Sequence, residues 1–104
     1  MKAKTVPRKS LLEQVRLHRE EILASAQKNG ARNVRIFGSV ARREDTLESD
    51  IDLLVEMEPQ RSLFDLVGFS QEVEEILGVK ADVVSEKGLN PHLEKAILLQ
   101  AVYL

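Results

Sequence analysis

The sequence predicts an α/β domain of the α+β kind. It is a small mixed three-stranded sheet with helices packed on it, in the order helix, strand, short helix, strand, helix, strand, helix. Three observations lead there. Two strand-like runs, "NVRIF" and "DIDLLVEM", are joined by a short connection that permits antiparallel pairing. A third run, "KADVVS", follows after a segment long enough to hold a full helix. That length suits a right-handed crossover, so the second and third strands are expected to be parallel neighbours.

Each element has its own warrant. Ser10 can cap a first helix, with Glu13 completing a capping box. Leu11, Leu12, Val15, Ile22, Leu23 and Ala26 repeat at helical spacing, and Gly30 is a C-terminal stop. His18 lies on the edge of that stripe and reads as structural or solvated. The first strand is expected from Asn33 to Phe37, ending at Gly38. Ser39 can then cap a short helix through Val40, Ala41, Arg42 and Arg43, and Glu44 to Ser49 reads as a polar loop. The second strand is expected from Asp50 to Met57, and Pro59 stops it. Ser62 caps the next helix, where Leu66, Phe69, Val73, Ile76 and Leu77 form the apolar face and Gly78 ends the run. The last helix opens on Asn90 with Pro91 in its first position and is expected to continue through "AILLQAVYL".

The totals bound what the protein can be. Its 104 residues suit one small domain, placed at 10–104 behind a basic tail at 1–9 expected to be flexible. A net charge of -2, from 15 basic and 17 acidic residues, makes no electrostatic case for nucleic acid. The sequence holds no cysteine, which excludes disulfides and thiolate metal sites. No apolar run approaches membrane-spanning length and no signal peptide is visible, so a cytoplasmic protein is the plain reading.

The stretch "FGSVARREDTLESDIDLLVE" carries the chemistry. Residues two apart on a strand share a face, so Asp50 and Asp52 project together, roughly 6.5 Å apart by strand rise. Their repulsion at an effective dielectric of 20 is on the order of 2.5 kcal/mol. Either water screens them or a cation sits between them. The apolar run that follows places the pair at the mouth of a buried strand, which favours the cation. Carboxylates with no histidine or cysteine beside them suit Mg²⁺ or Mn²⁺. Asp82, an acid in the apolar run "ADVV" of the neighbouring strand, is the candidate third carboxylate, which would ready the attacking oxygen.

The Gly-Ser turn supplies the complement. Gly38 permits close backbone approach to a ligand, and the amides that follow open a helix, where anions bind. Ser39 offers a hydroxyl, and Arg42 or Arg43 lies one turn on with a guanidinium that matches phosphate. Each part alone has a plainer reading: a turn, a solvated strand edge, a solvated helix face. In this order they converge on a nucleoside triphosphate with its metal.

At these residues the sequence resembles the minimal nucleotidyltransferases of the DNA polymerase beta-like superfamily. Their Gly-Ser, Ala-Arg and Ser-Asp-x-Asp-Leu signature stands here as Gly38-Ser39-Val40-Ala41-Arg42 and Ser49-Asp50-Ile51-Asp52-Leu53. The family's third acid matches Asp82, and "AILLQAVYL" is similar to its C-terminal helix. One position departs: Arg43 stands where many members carry glycine. The resemblance implies the nucleotidyltransferase fold and transfer of a nucleoside monophosphate to an acceptor hydroxyl with release of pyrophosphate. It implies that Asp50 and Asp52 hold two Mg²⁺ ions, Mn²⁺ being the alternative. Asp82 binds the catalytic metal and helps deprotonate the acceptor, and Gly38, Ser39 and Arg42 grip the triphosphate. Free members of this size resemble antitoxins encoded beside a HEPN ribonuclease toxin. The resemblance then suggests transfer of AMP from ATP to a tyrosine of that toxin, in a hetero-oligomer with it.

The last helix adds an expectation of its own. Leu93, Ala96, Ile97, Leu98, Leu99, Ala101, Val102, Tyr103 and Leu104 cover more than one helical face. The core takes one side, and a partner that brings the acceptor would cover another. Core packing alone is the plainer reading. His92, near the cap, reads as solvated. Two further readings stand beside the protein-modifying enzyme. One is an antitoxin that neutralises by occlusion without catalysis. The other is an enzyme acting on a small molecule or an RNA end.

Overall fold

The computed structural model describes residues 10–104, so the tail at 1–9 lies outside the described residues. The elements run α1 (Leu11–Leu17), α2 (Arg19–Lys28), β1 (Ala31–Phe37), α3 (Gly38–Ala41), β2 (Ile51–Met57), α4 (Leu63–Leu77), β3 (Ala81–Ser85), α5 (Pro91–Gln100) and β4 (Val102–Tyr103). A 3-10 turn, Glu86–Gly88, links β3 to α5. The sheet order is β3-β2-β1-β4. β1 and β2 are antiparallel, and β2 and β3 are parallel across the α4 crossover, as the connection lengths require.

Alternation along the strands separates two faces. Ile36, Ile51, Leu53, Val55 and Ala81 point to one side and join Leu11, Val15, Ile22, Phe69 and Val73 of α1, α2 and α4 in the main core. Phe69, Ile51, Leu53, Val55 and Val73 are among the side chains that this packing removes from water completely. Arg35, Phe37, Asp52, Leu54, Asp82, Val84 and Tyr103 occupy the second face, because the register pairs them directly across the ladders. The last helix, α5, packs against β1 and α3.

Local chemistry accounts for the helix ends. Ser62 accepts from the Phe64 amide, and Asp65 accepts from the Ser62 amide at 2.9 Å, a closed capping box on α4. Gly78 ends α4 at φ 71, a left-handed conformation that glycine adopts without a Cβ penalty. Asn90 accepts from the Leu93 amide, with Pro91 in the first turn of α5.

Three expectations need correction. The first helix is two: His18, at φ -104 and ψ 20, breaks it into α1 and α2. The His18 amide is shared between the carbonyls of Gln14 and Val15, and its ring meets Glu21 Oε1 at 2.8 Å. The break lets α1 pack on α3 while α2 packs on α4 and β1. The last helix stops at Gln100, and Ala101 turns extended. Val102 and Tyr103 then pair with Ile36 and Arg35, so the sheet has a fourth strand. The reason is the edge of β1, whose backbone groups need partners that a continued helix could not supply. Finally, α3 begins at Gly38, so Ser39 lies inside that turn instead of capping it. Among the described residues, no helix is long and apolar enough to cross a membrane.

Candidate active site

One end of the second sheet face gathers the acids. Asp52 and Asp82 are each the second residue of their strand, and the parallel register sets them side by side. Asp50 lies one residue before β2 and is exposed. Backbone bonds hold this end closed, with the Ile51 amide donating to the Lys80 carbonyl at 2.9 Å. Helix α4 braces it from behind. Ser70 Oγ donates to the Ala81 carbonyl at 2.9 Å, and the Ala81 amide donates to Glu74 Oε2 at 2.9 Å. The residue before Asp82 is thus fixed at both its polar backbone groups.

Phe37 pairs with Asp52 across the antiparallel ladder, so the Gly-Ser turn arrives at the same end. Gly38 has φ 73, and a Cβ added there would run into Asp52 Oδ2 and lie 3.2 Å from its Cγ. Glycine is required twice, by the conformation and by the carboxylate pressed against it. Ser39 is half-buried in the single turn of α3. Arg42 closes that turn, its amide donating to the Gly38 carbonyl at 3.2 Å. Its guanidinium donates from Nε to Glu44 Oε1 at 2.9 Å and from Nη1 to Gln100 Oε1 at 2.8 Å. Arg43 has φ 59, the left-handed region. The loop keeps a path that glycine would adopt freely, with arginine held in it.

The electrostatics follow from the crowding. Burial raises the Asp52 pKa above its ordinary value, the charges of Asp82 and then Asp50 raise it further, and Arg42 opposes them. Three oxygen-only donors that repel one another fit a hard divalent cation in chemistry. Among the described residues, no three acidic or imidazole side chains are placed to enclose an ion as they stand. Asp50 and Asp82 are the exposed members of the three.

All six residues singled out from the sequence are local to this end. Asp52 and Asp82 pair across two strands, Asp50 and Arg42 lie within electrostatic reach of Asp52, Gly38 is pressed against Asp52, and Ser39 follows Gly38. Glu44 and Gln100, the partners of Arg42, were missed. Gln100 is a lone polar residue in "AILLQAVYL", and that isolation was the available signal. A groove of about 430 Å³ lies elsewhere, between α2 and α4, lined by Ser25, Lys28 and Glu72. Its polar groups already satisfy one another: Glu72 accepts from Ser25, Asn29 at 3.2 Å and Lys28 at 2.5 Å. It sits behind the core face, away from the acids.

Known proteins resemble this chain in sequence and fold. A Methanocaldococcus jannaschii protein, provisionally named a protein adenylyltransferase, is 42% identical over 81% of this chain and 90% of its own length. A solved structure described provisionally as a minimal nucleotidyltransferase superposes with TM-score 0.83 at 45% identity, covering 89% of this chain and 95% of the other. A toxin–antitoxin structure with AMP-PNP shares the fold at TM-score 0.70 and 19% identity, over 81% of this chain and 69% of that one. The nucleotidyltransferase domain model matches residues 18–104, and the chain belongs to that family of enzymes.

Proposed function

We propose that this nucleotidyltransferase transfers AMP from ATP to a hydroxyl of a protein partner, a tyrosine of a HEPN ribonuclease toxin, and so acts as its antitoxin. The observation that carries the reading is the Asp52–Asp82 pair, set in register beside a glycine that presses on one of them. Two like charges held side by side at a strand mouth call for a cation, and an adjoining guanidinium suits a phosphate. The M. jannaschii relative named for protein adenylylation supports a protein as the acceptor.

Each residue has a role in this reading. Asp50, Asp52 and Asp82 would hold the divalent metal. Gly38 leaves room for the triphosphate, Ser39 donates its hydroxyl to a phosphate oxygen, and Arg42 adds a positive charge. The acceptor oxygen forms a bond to the α-phosphorus while the bond to the bridging oxygen of pyrophosphate breaks. Asp82 takes the acceptor proton. Two bound Mg²⁺ ions, or Mn²⁺, would supply neutralisation of the charge that develops on the phosphates.

Helix α5 favours a second reading, neutralisation by occlusion. Only Ile97 of its ten residues is buried, while Leu93, Leu98 and Leu99 remain exposed. Such a face suits a partner whether or not transfer occurs. The test incubates the chain and its partner with labelled ATP and Mg²⁺, then maps the partner by mass spectrometry. A modified hydroxyl that disappears with Asp82→Asn supports transfer. An unmodified partner that is fully inhibited, by Asp82→Asn as well, supports occlusion.

A further inference from the structure

Arg42 is held by two acceptors from different parts of the chain. Glu44 belongs to the loop that follows α3, whereas Gln100 is the last residue of α5, 58 positions away. The Gln100 amide is itself oriented, its Nε2 donating to the Ala96 carbonyl at 3.5 Å. That bond leaves Oε1 turned to the guanidinium, which it meets at 2.8 Å. The contact is the side-chain link between the Gly-Ser turn and the final helix, and those two elements also pack together.

A guanidinium carries five N–H donors. Glu44 takes the one on Nε and Gln100 takes one on Nη1, so the other Nη1 donor and both on Nη2 are left for an anion. An arginine that exposes 46% of its side chain would otherwise sample many rotamers, and holding it in one lowers the entropy cost of gripping a ligand.

We propose that Gln100 is a positioning residue for nucleotide binding, holding the Arg42 guanidinium for the triphosphate and making the end of α5 part of the nucleotide site. This rests on the reading of Arg42 as a triphosphate ligand. Gln100 touches neither nucleotide nor acceptor and acts through Arg42 alone. It therefore affects the grip on nucleotide and leaves the chemical step largely unchanged.

The test measures AMP-PNP affinity by calorimetry in Mg²⁺ for the full chain and for Arg42→Met, Gln100→Met and the two combined, with KM and kcat for ATP measured alongside. Gln100→Met keeps the length and removes the acceptor, and is expected to weaken binding and raise KM by roughly three- to tenfold, with kcat little changed. Because Gln100 acts through Arg42, adding Gln100→Met to Arg42→Met is expected to weaken binding no further than Arg42→Met does alone. Should Gln100→Met melt early, Gln100→Leu, which also lacks an acceptor and a charge, provides the same comparison. Normal affinity in Gln100→Met with weakened Arg42→Met would overturn the positioning role and leave Arg42 as a ligand. Further weakening of Arg42→Met by Gln100→Met would overturn it too, since Gln100 would then act other than through Arg42. Normal affinity in Arg42→Met would overturn the reading of Arg42 itself, and the inference with it.

Discussion

Two regions on one face of the sheet treat charge in opposite ways. Arg35, only 3% exposed, is a buried cation with partners. It donates to the Asn33 carbonyl at 2.7 Å and to Glu86 at 2.5 Å, and lies 5.5 Å from the centre of the Tyr103 ring. Two residues along the same ladder, Asp52 faces Asp82 with Asp50 nearby, and the protein offers them Arg42 against their repulsion. The first cluster closes the fold, tying β1 to β4 and to the turn after β3. The second leaves negative charge uncompensated where a ligand can reach it. A small domain tolerates such an imbalance when a bound group relieves it.

Substitution separates the two regions. Asp52→Asn removes a charge and keeps the shape, so nucleotidyl transfer should fall by roughly 10³-fold or more. The metal-free fold should become more stable, by about 1 kcal/mol or a few degrees in Tm. The pH dependence sharpens this. Because the folded pKa of Asp52 is raised, protonation favours the folded state. The stability relative to a charged Asp52 is fully present below the ordinary carboxylate pKa and is lost as pH rises through the raised value. Melting curves of the two proteins should therefore converge in acid and separate toward neutral pH. Parallel curves would show that Asp52 bears no penalty.

Arg35→Met should do the reverse. It leaves Glu86 without its buried partner, at a cost of about 3–5 kcal/mol, and Tm should drop by more than about 10 °C. Denaturant unfolding measures it, and a loss below 1 kcal/mol would make the cluster an ordinary surface pair. A smaller effect belongs to the loop between the regions. Arg43→Gly should stabilise by about 0.5–1 kcal/mol, since it relieves a left-handed arginine. Unchanged or lower stability would show that glycine's backbone entropy outweighs the strain.

The contrast also explains what could be read from the sequence. Asp50, Asp52 and Asp82 were visible because acids in apolar strand-like runs are anomalies that period-two alternation places on one face. The α4 crossover was visible in connection length, caps and Gly78. Arg35 was not, since a charged residue between Val34 and Ile36 looks like an ordinary solvent-facing strand position. Its burial depends on Glu86 and Tyr103, which only the folded chain brings to it. Strand β4 was hidden for a related reason: "AILLQAVYL" keeps helical spacing, and the open edge of β1 that overrides it is a tertiary fact. The break at His18 left the apolar stripe in phase across α1 and α2, so periodicity carried no sign of it.

In this reading the acids at the strand mouth form a site only with a divalent cation, and the cation brings the triphosphate. Calorimetric titration with AMP-PNP, in Mg²⁺ and then in chelator, tests it most directly. Binding in Mg²⁺ should weaken by more than roughly 100-fold when the metal is removed, because uncompensated carboxylates repel the phosphates. Equal affinity in both conditions would contradict it.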